Sequence, residues 1–159
     1  MRIPRLSRFG WLMGLYTENH GLLQRLFAPG DLPCGRHVSS VGDGLDVIVD
    51  VVERHAYTVE LRLSYALVDP VTGQPDPSAH VRLYRDARQA EATHCYVGRR
   101  WQDVIGLYPP PAAIMDHRLQ MNTFLGKWLG YLHERGHGPQ RLTPPGAVPR
   151  IPVFQRVGP

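Results

Sequence analysis

The chain reads as an α+β fold: an N-terminal helix, an antiparallel β-meander of four to five strands, and a C-terminal helix packed on the sheet. Two apolar stripes and one alternating run predict it. Leu12, Leu15, Tyr16, Asn19, Leu22, Leu23, Leu26 and Phe27 recur at helical spacing, as do Met121, Phe124, Leu125, Trp128, Leu129 and Leu132. Between them, Tyr57, Val59, Leu61, Leu63, Tyr65 and Leu67 alternate with Thr58, Glu60, Arg62, Ser64 and Ala66. Strict alternation predicts a strand with one packed and one wet face. The packed face is the surface on which both helices can bury their stripes.

The first helix is expected over residues 7–27, ended by Pro29-Gly30. Gly14 and Gly21 inside it cost about 1 kcal/mol each relative to Ala, so it needs tertiary support. Strands follow at 45–52, 57–67, 79–86 and 89–97, with a further short one at 38–41. Arg54-His55-Ala56 and Asp86-Ala87-Arg88 are short enough for hairpin connections. Residues 69–77, with three prolines and a glycine, read as a surface loop. Residues 98–115 form a long connection stiffened by Pro109-Pro110-Pro111, with Trp101 and Tyr108 to pack it down. Asp116 is the expected N-cap of the last helix and Arg135-Gly136 its end. The domain is therefore expected over 1–136. Residues 137–159, with six prolines and three glycines, form a tail in which Ile151-Pro152-Val153-Phe154 can dock.

The 159 residues are 43% hydrophobic and 20% charged, which excludes collagen, coiled coil, disorder and a membrane span. Eighteen basic residues, all Arg except Lys127, stand against fourteen acidic ones, for a net charge of +4. The bases are scattered, and Arg36, Arg141, Arg150 and Arg156 lie outside the main elements. Nucleic acid is thus not the favoured partner. The N-terminal apolar run stops at Thr17-Glu18-Asn19-His20 without a cleavage site, and two cysteines make no disulfide framework, which places the chain in the cytoplasm.

Three stretches carry a family resemblance: Tyr16-Thr17-Glu18-Asn19 with the leucines after it, residues 81–91 around Arg82-Leu83-Tyr84-Arg85-Asp86, and residues 117–129 around Met121-Asn122. In order and spacing they resemble the YqiB-like bacterial family, and Ile151-Pro152-Val153-Phe154 resembles its C-terminal end. The resemblance implies a soluble bacterial domain of unknown function and brings no catalytic residues with it.

Candidate site residues follow from position. Asn19 lies inside an apolar stripe, so it bonds across the layer or lines a pocket there; Glu18 sits at the stripe's edge. His117 falls on the stripe of the last helix, in its expected first turn, where the dipole disfavours protonation; Gln120 and Asn122 flank it. Arg82, Tyr84 and Asp86 share one strand face, Glu91 follows the turn, and Glu60 and Arg62 are near. Cross-strand ion pairs or a polar substrate groove are the alternatives. Cys34-x-x-His37 and His133/His137 make no metal signature, and no phosphate loop or nucleophile motif occurs, so no metal or cofactor is expected. The favoured function is a non-enzymatic binding or accessory module for a protein or small ligand. The alternatives are a small hydrolase built on Asp86, Glu91 and His117, and RNA binding by an Arg-rich sheet face that uses Tyr84, Tyr96 and Trp101.

Overall fold

The computed structural model describes residues 7–67, 71, 77–97, 99–100 and 110–143. Helix α1 spans Arg8–Leu26, and the Ser7 hydroxyl caps it by accepting the Gly10 N–H at 3.0 Å. Ala28, in the left-handed region at φ 45°, turns the chain into a short 3₁₀ turn, Pro29–Asp31. The meander then runs through β1 (Gly35–Ser39), β2 (Val47–Arg54), β3 (Thr58–Tyr65), β4 (Ser78–Tyr84) and β5 (Gln89–Val97). Two further two-residue strands, β6 (Arg99–Arg100) and β7 (Leu142–Thr143), complete an antiparallel sheet of seven in the order β6-β5-β4-β3-β2-β1-β7. Helix α2 is Pro111–Glu134. The architecture is the α+β arrangement expected.

Two expectations are corrected. Helix α2 begins at Pro111, not Asp116. Proline is well suited to the first helical position, because its missing N–H has no intrahelical acceptor there in any case. Asp116 pairs instead with Arg8 at 2.8 Å, and His117 moves out of the first turn. The packed chain also continues past Gly136. His137 and Gly138 are buried, and β7 pairs with β1 through Val38–Thr143 and Ser39–Leu142. The buried Ser39 hydroxyl meets His137 Nδ1 at 2.7 Å, a polar pair that holds this segment down. The expected packing of Trp101 and Tyr108, the loop at 69–76 and the docking of residues 151–154 lie outside the described residues.

The core fills one face of the sheet. Val47, Val49 and Val51 of β2, Val59, Leu61 and Leu63 of β3, and Val81 and Leu83 of β4 meet Leu23, Leu26 and Phe27 of α1 and Met121, Leu125, Trp128 and Leu129 of α2. A second cluster, Leu12, Tyr16 and Leu119, joins the N-terminal halves of the two helices. The helices run parallel, matched from Arg8–Asp116 to Asn19–Asn122. Gly126 permits this approach: a Cβ there would sit 3.0 Å from Asn19 Oδ1.

Candidate functional site: the open sheet face

The face turned away from the helices carries polar side chains in rows fixed by the register. One row crosses five strands: Arg36, Asp50, Arg62, His80 and His94. The next brings Glu60, Arg82 and Glu91 side by side, and a third Thr58, Tyr84 and Gln89. Arg82 donates to Glu60 Oε1 through Nε at 3.0 Å and Nη2 at 2.8 Å. Tyr84 donates its hydroxyl proton to Glu91 Oε1 at 2.6 Å. Tyr84 and then Glu60 raise the Arg82 guanidinium above its ordinary value. Tyr16 reaches the same Glu91 from α1; burial, then that carboxylate, push its hydroxyl up to about 12.

Two β-bulges shape this face. The register of β2 on β3 shifts at Val52, and that of β5 on β4 at Thr93. Each extra residue bends its strand and re-aims a side chain. Between them lies a groove of about 180 Å³, lined by Val52, Glu60, His80, Arg82, Thr93 and His94 among others. The rings of His80 and His94 meet edge to face, with centroids 5.7 Å apart.

The other candidates are placed differently. Asp86 has left the strand and lies in the exposed 85–88 turn, where Oδ1 accepts the Ala87 N–H at 2.9 Å. The strand face expected for it ends at Tyr84: Arg85 makes the last bond to Tyr57 O, and the chain then turns through 85–88 with Arg88 in the left-handed region. Glu18 and Gln120 are exposed on their helices. Asn19 and Asn122 are fully buried and join three elements. Asn19 Nδ2 donates to Asn122 O at 3.1 Å. Asn122 Oδ1 accepts the Ala92 N–H of β5 at 2.7 Å, and its Nδ2 donates to Arg118 O at 2.9 Å. Neither asparagine lines the groove. His117 is buried on α2, and burial, with Arg118 and His94 adding to it, lowers its pKa. Among the described residues no three His, Cys, Asp or Glu side chains gather as a metal site. Cys34 is exposed and Cys95 buried, both as free thiols; burial pushes Cys95 up to about 12.

The sequence reading missed the bulge residues, the His80–His94 pair and the Ser39–His137 pair. The 80/94 match depends on a register that alternation alone does not fix. Burial also lowers His137, with Asp43 and Asp46 pulling the other way and Arg135 and Arg141 adding to the depression. His117 and His137 thus fold in the neutral form. Below about pH 6.5, their ordinary value, the unfolded chain binds protons that the folded one does not. Stability is therefore full above that pH and falls as pH drops through the gap to the lowered values. Urea midpoints should be flat from pH 8 to 7 and decline toward pH 5, with His137→Gln losing part of the slope. A midpoint that rises on acidification contradicts this assignment.

The fold and its open face define a two-layer α+β domain with an antiparallel meander under two helices. A family model described as Protein of unknown function (DUF1249) matches residues 22–138, and the chain belongs to that family. No curated protein and no solved structure is matched.

Proposed function

We propose that this DUF1249 domain is a non-enzymatic binding module that takes a small polar ligand into the groove of its open face. The observation that carries the reading is the pair of bulges: Val52 and Thr93, the two residues out of register, both border the groove. Bulges concentrate next to functional sites because they re-aim side chains. At about 180 Å³ the groove is sized for a small polar molecule. The groove's Arg82–Glu60 pair is already assembled, so it adds fixed polar contacts without reorganising.

The residues named for hydrolysis argue the same way. Asp86 sits in an exposed turn, Glu91 receives the Tyr84 proton, and His117 is buried on α2. An RNA face wants unpaired arginines and open rings. Here Arg82 is committed to Glu60 and the Tyr84 hydroxyl to Glu91, while the Tyr96 side chain and Trp101 lie outside the described residues. The similarity to the YqiB-like bacterial family and the free thiols support a bacterial cytoplasmic setting. No helix among the described residues is long and apolar enough to cross a membrane.

A panel of small polar metabolites titrated into the ¹⁵N-labelled domain tests the proposal. A binder should shift the amides of His80, Arg82, Thr93 and His94, and the His80→Ala/His94→Ala variant should weaken it at least tenfold. If no compound moves those amides, or the variant binds as well as the wild type, the groove is not the site.

A further inference from the structure

On the helix side, a larger cleft of about 470 Å³ opens between α1, the 3₁₀ turn and the β4–β5 turn. Its walls are His20 and Gln24 of α1, Gly30 and Asp31 of the 3₁₀ turn, and Arg85 and Arg88 of the β-turn. None of these residues is among the site candidates read from the sequence, and none lines the open-face groove.

Three observations point to an anionic ligand. The first is charge. Among the described residues neither Arg85 nor Arg88 makes an ion pair, and Asp31 is the one carboxylate on the wall. Arg88 is close enough to His20 to help depress its pKa, after burial. Both arginines are exposed and line the same cleft, so an anion bound there can bridge them.

The second is backbone strain. Arg88 has φ 53°, a left-handed conformation that favours glycine. Among the described residues only Ala28 shares this state outside glycine, and Ala28 leads into the turn that floors the same cleft. Strained backbone of this kind persists where the surroundings enforce it, and it gathers at ligand sites. Arg88 keeps a long cationic side chain where a glycine would relax the turn.

The third is a polar atom without a partner. Gln24 Oε1 is buried and accepts no hydrogen bond. It lies beside Gly30, where a Cβ would stand 3.8 Å from it and 3.7 Å from Arg85 Nε. The missing side chain at Gly30 keeps the floor open between the acceptor and the cation. The Asp31 carboxylate on the wall, and Gln24 Oε1 once its side chain turns toward the cleft, are acceptors for hydroxyl donors on the same ligand that brings the anion.

We propose that this cleft binds a small phosphate monoester bearing hydroxyl groups, of the pentose phosphate class. The guanidinium groups of Arg85 and Arg88 grip the phosphate oxygens, with His20 beside them. Gln24 and Asp31 accept from the hydroxyls. A planar guanidinium presents paired donors that match phosphate geometry. The volume falls in the range of small-ligand pockets and has room for a single sugar phosphate.

Calorimetric titration with ribose 5-phosphate, inorganic phosphate, ribose and a ten-nucleotide RNA tests this. Ribose 5-phosphate should bind at least tenfold more tightly than inorganic phosphate, and ribose alone should not bind. Arg85→Gln should weaken ribose 5-phosphate at least tenfold. Arg88→Gly should do the same while raising the melting temperature, since glycine relaxes the turn. Binding unchanged in both variants, or no binding of ribose 5-phosphate by the wild type, overturns the site. Equal affinity for inorganic phosphate overturns the hydroxyl contacts. A lower melting temperature for Arg88→Gly overturns the strain argument. Tighter, steeply salt-dependent binding of the RNA assigns the arginines to a polymer surface instead. The open-face variant His80→Ala/His94→Ala should leave ribose 5-phosphate binding intact, which separates this proposal from that of the groove.

Discussion

Asn122→Ala should be among the most damaging single substitutions in this domain. Between Gln89 and Cys95 the outer flank of β5 pairs with no strand among the described residues, since β6 engages only Tyr96 and Val97. An open strand edge leaves backbone donors and acceptors unused. The Asn122 carboxamide answers this from α2: it accepts the Ala92 N–H at 2.7 Å and faces the Ala92 carbonyl at 3.5 Å, as a neighbouring strand residue would. Alanine removes that acceptor, strands a buried amide and leaves a void at a fully buried position. One unsatisfied buried donor costs about 1–3 kcal/mol, and the lost bond to Arg118 O about 1 more, so the expected loss is roughly 2–4 kcal/mol. For a chain of this size that is a melting temperature lower by roughly 4–16 °C. Asn122→Asp should not rescue it: the acceptor survives, but a carboxylate is buried against two carbonyl oxygens. Asn19→Ala should cost less. Asn19 gives one bond to a helix carbonyl that already has a helical donor, and its own Oδ1 lacks a partner. Denaturant unfolding of the three variants checks the order; Asn19→Ala costing more than Asn122→Ala would refute it.

That contrast shows where the sequence was informative. Its periodicities placed α1 to within a residue at each end and put Val59, Leu61, Leu63, Val81 and Leu83 on the core side, because burial follows side-chain period directly. They also marked Asn19 and Asn122 as polar residues on or beside apolar stripes. They did not reveal that Asn122 substitutes for a missing strand, since that depends on where α2 lies over β5. The start of α2 was misread because Asp116 has the chemistry of a cap, whereas Pro111 has the backbone of a first residue. Alternation put Arg82 and Glu60 on the open face, but that they face one another is set by the register. The bulges at Val52 and Thr93 carry no local signature: no glycine or proline marks either position. The cleft was invisible because Gln24 and the turn that carries Arg85 and Arg88 come from segments far apart in sequence, with no motif to join them.

Arg54→Ala is the second large effect expected. Arg54 ends β2, and its guanidinium reaches the segment after α1 that has no regular partner of its own. Nη2 donates to Gly30 O at 2.8 Å, and Nη1 donates to Leu32 O and, at 3.4 Å, to Pro29 O. Three carbonyls of one turn thus converge on one planar cation. Local backbone bonds, Asp31 N–H to Ala28 O and Leu32 N–H to Pro29 O, are all the turn otherwise has. Charge-assisted bonds are worth about 1.5–3 kcal/mol each when fully buried. Arg54 is half-buried, so water replaces part of this on truncation, and the expected net loss is about 2–3 kcal/mol. Arg54→Lys should recover less than half of it, because a single ammonium does not span three acceptors in the guanidinium plane. The loss should be local before it is global. Amide exchange at Asp31 and Leu32 should accelerate in Arg54→Lys well below the unfolding midpoint, while the amides of β3 stay protected. If Lys restores full stability, or if the turn and β3 exchange in step, the three-carbonyl clamp is not what fixes this segment to the sheet.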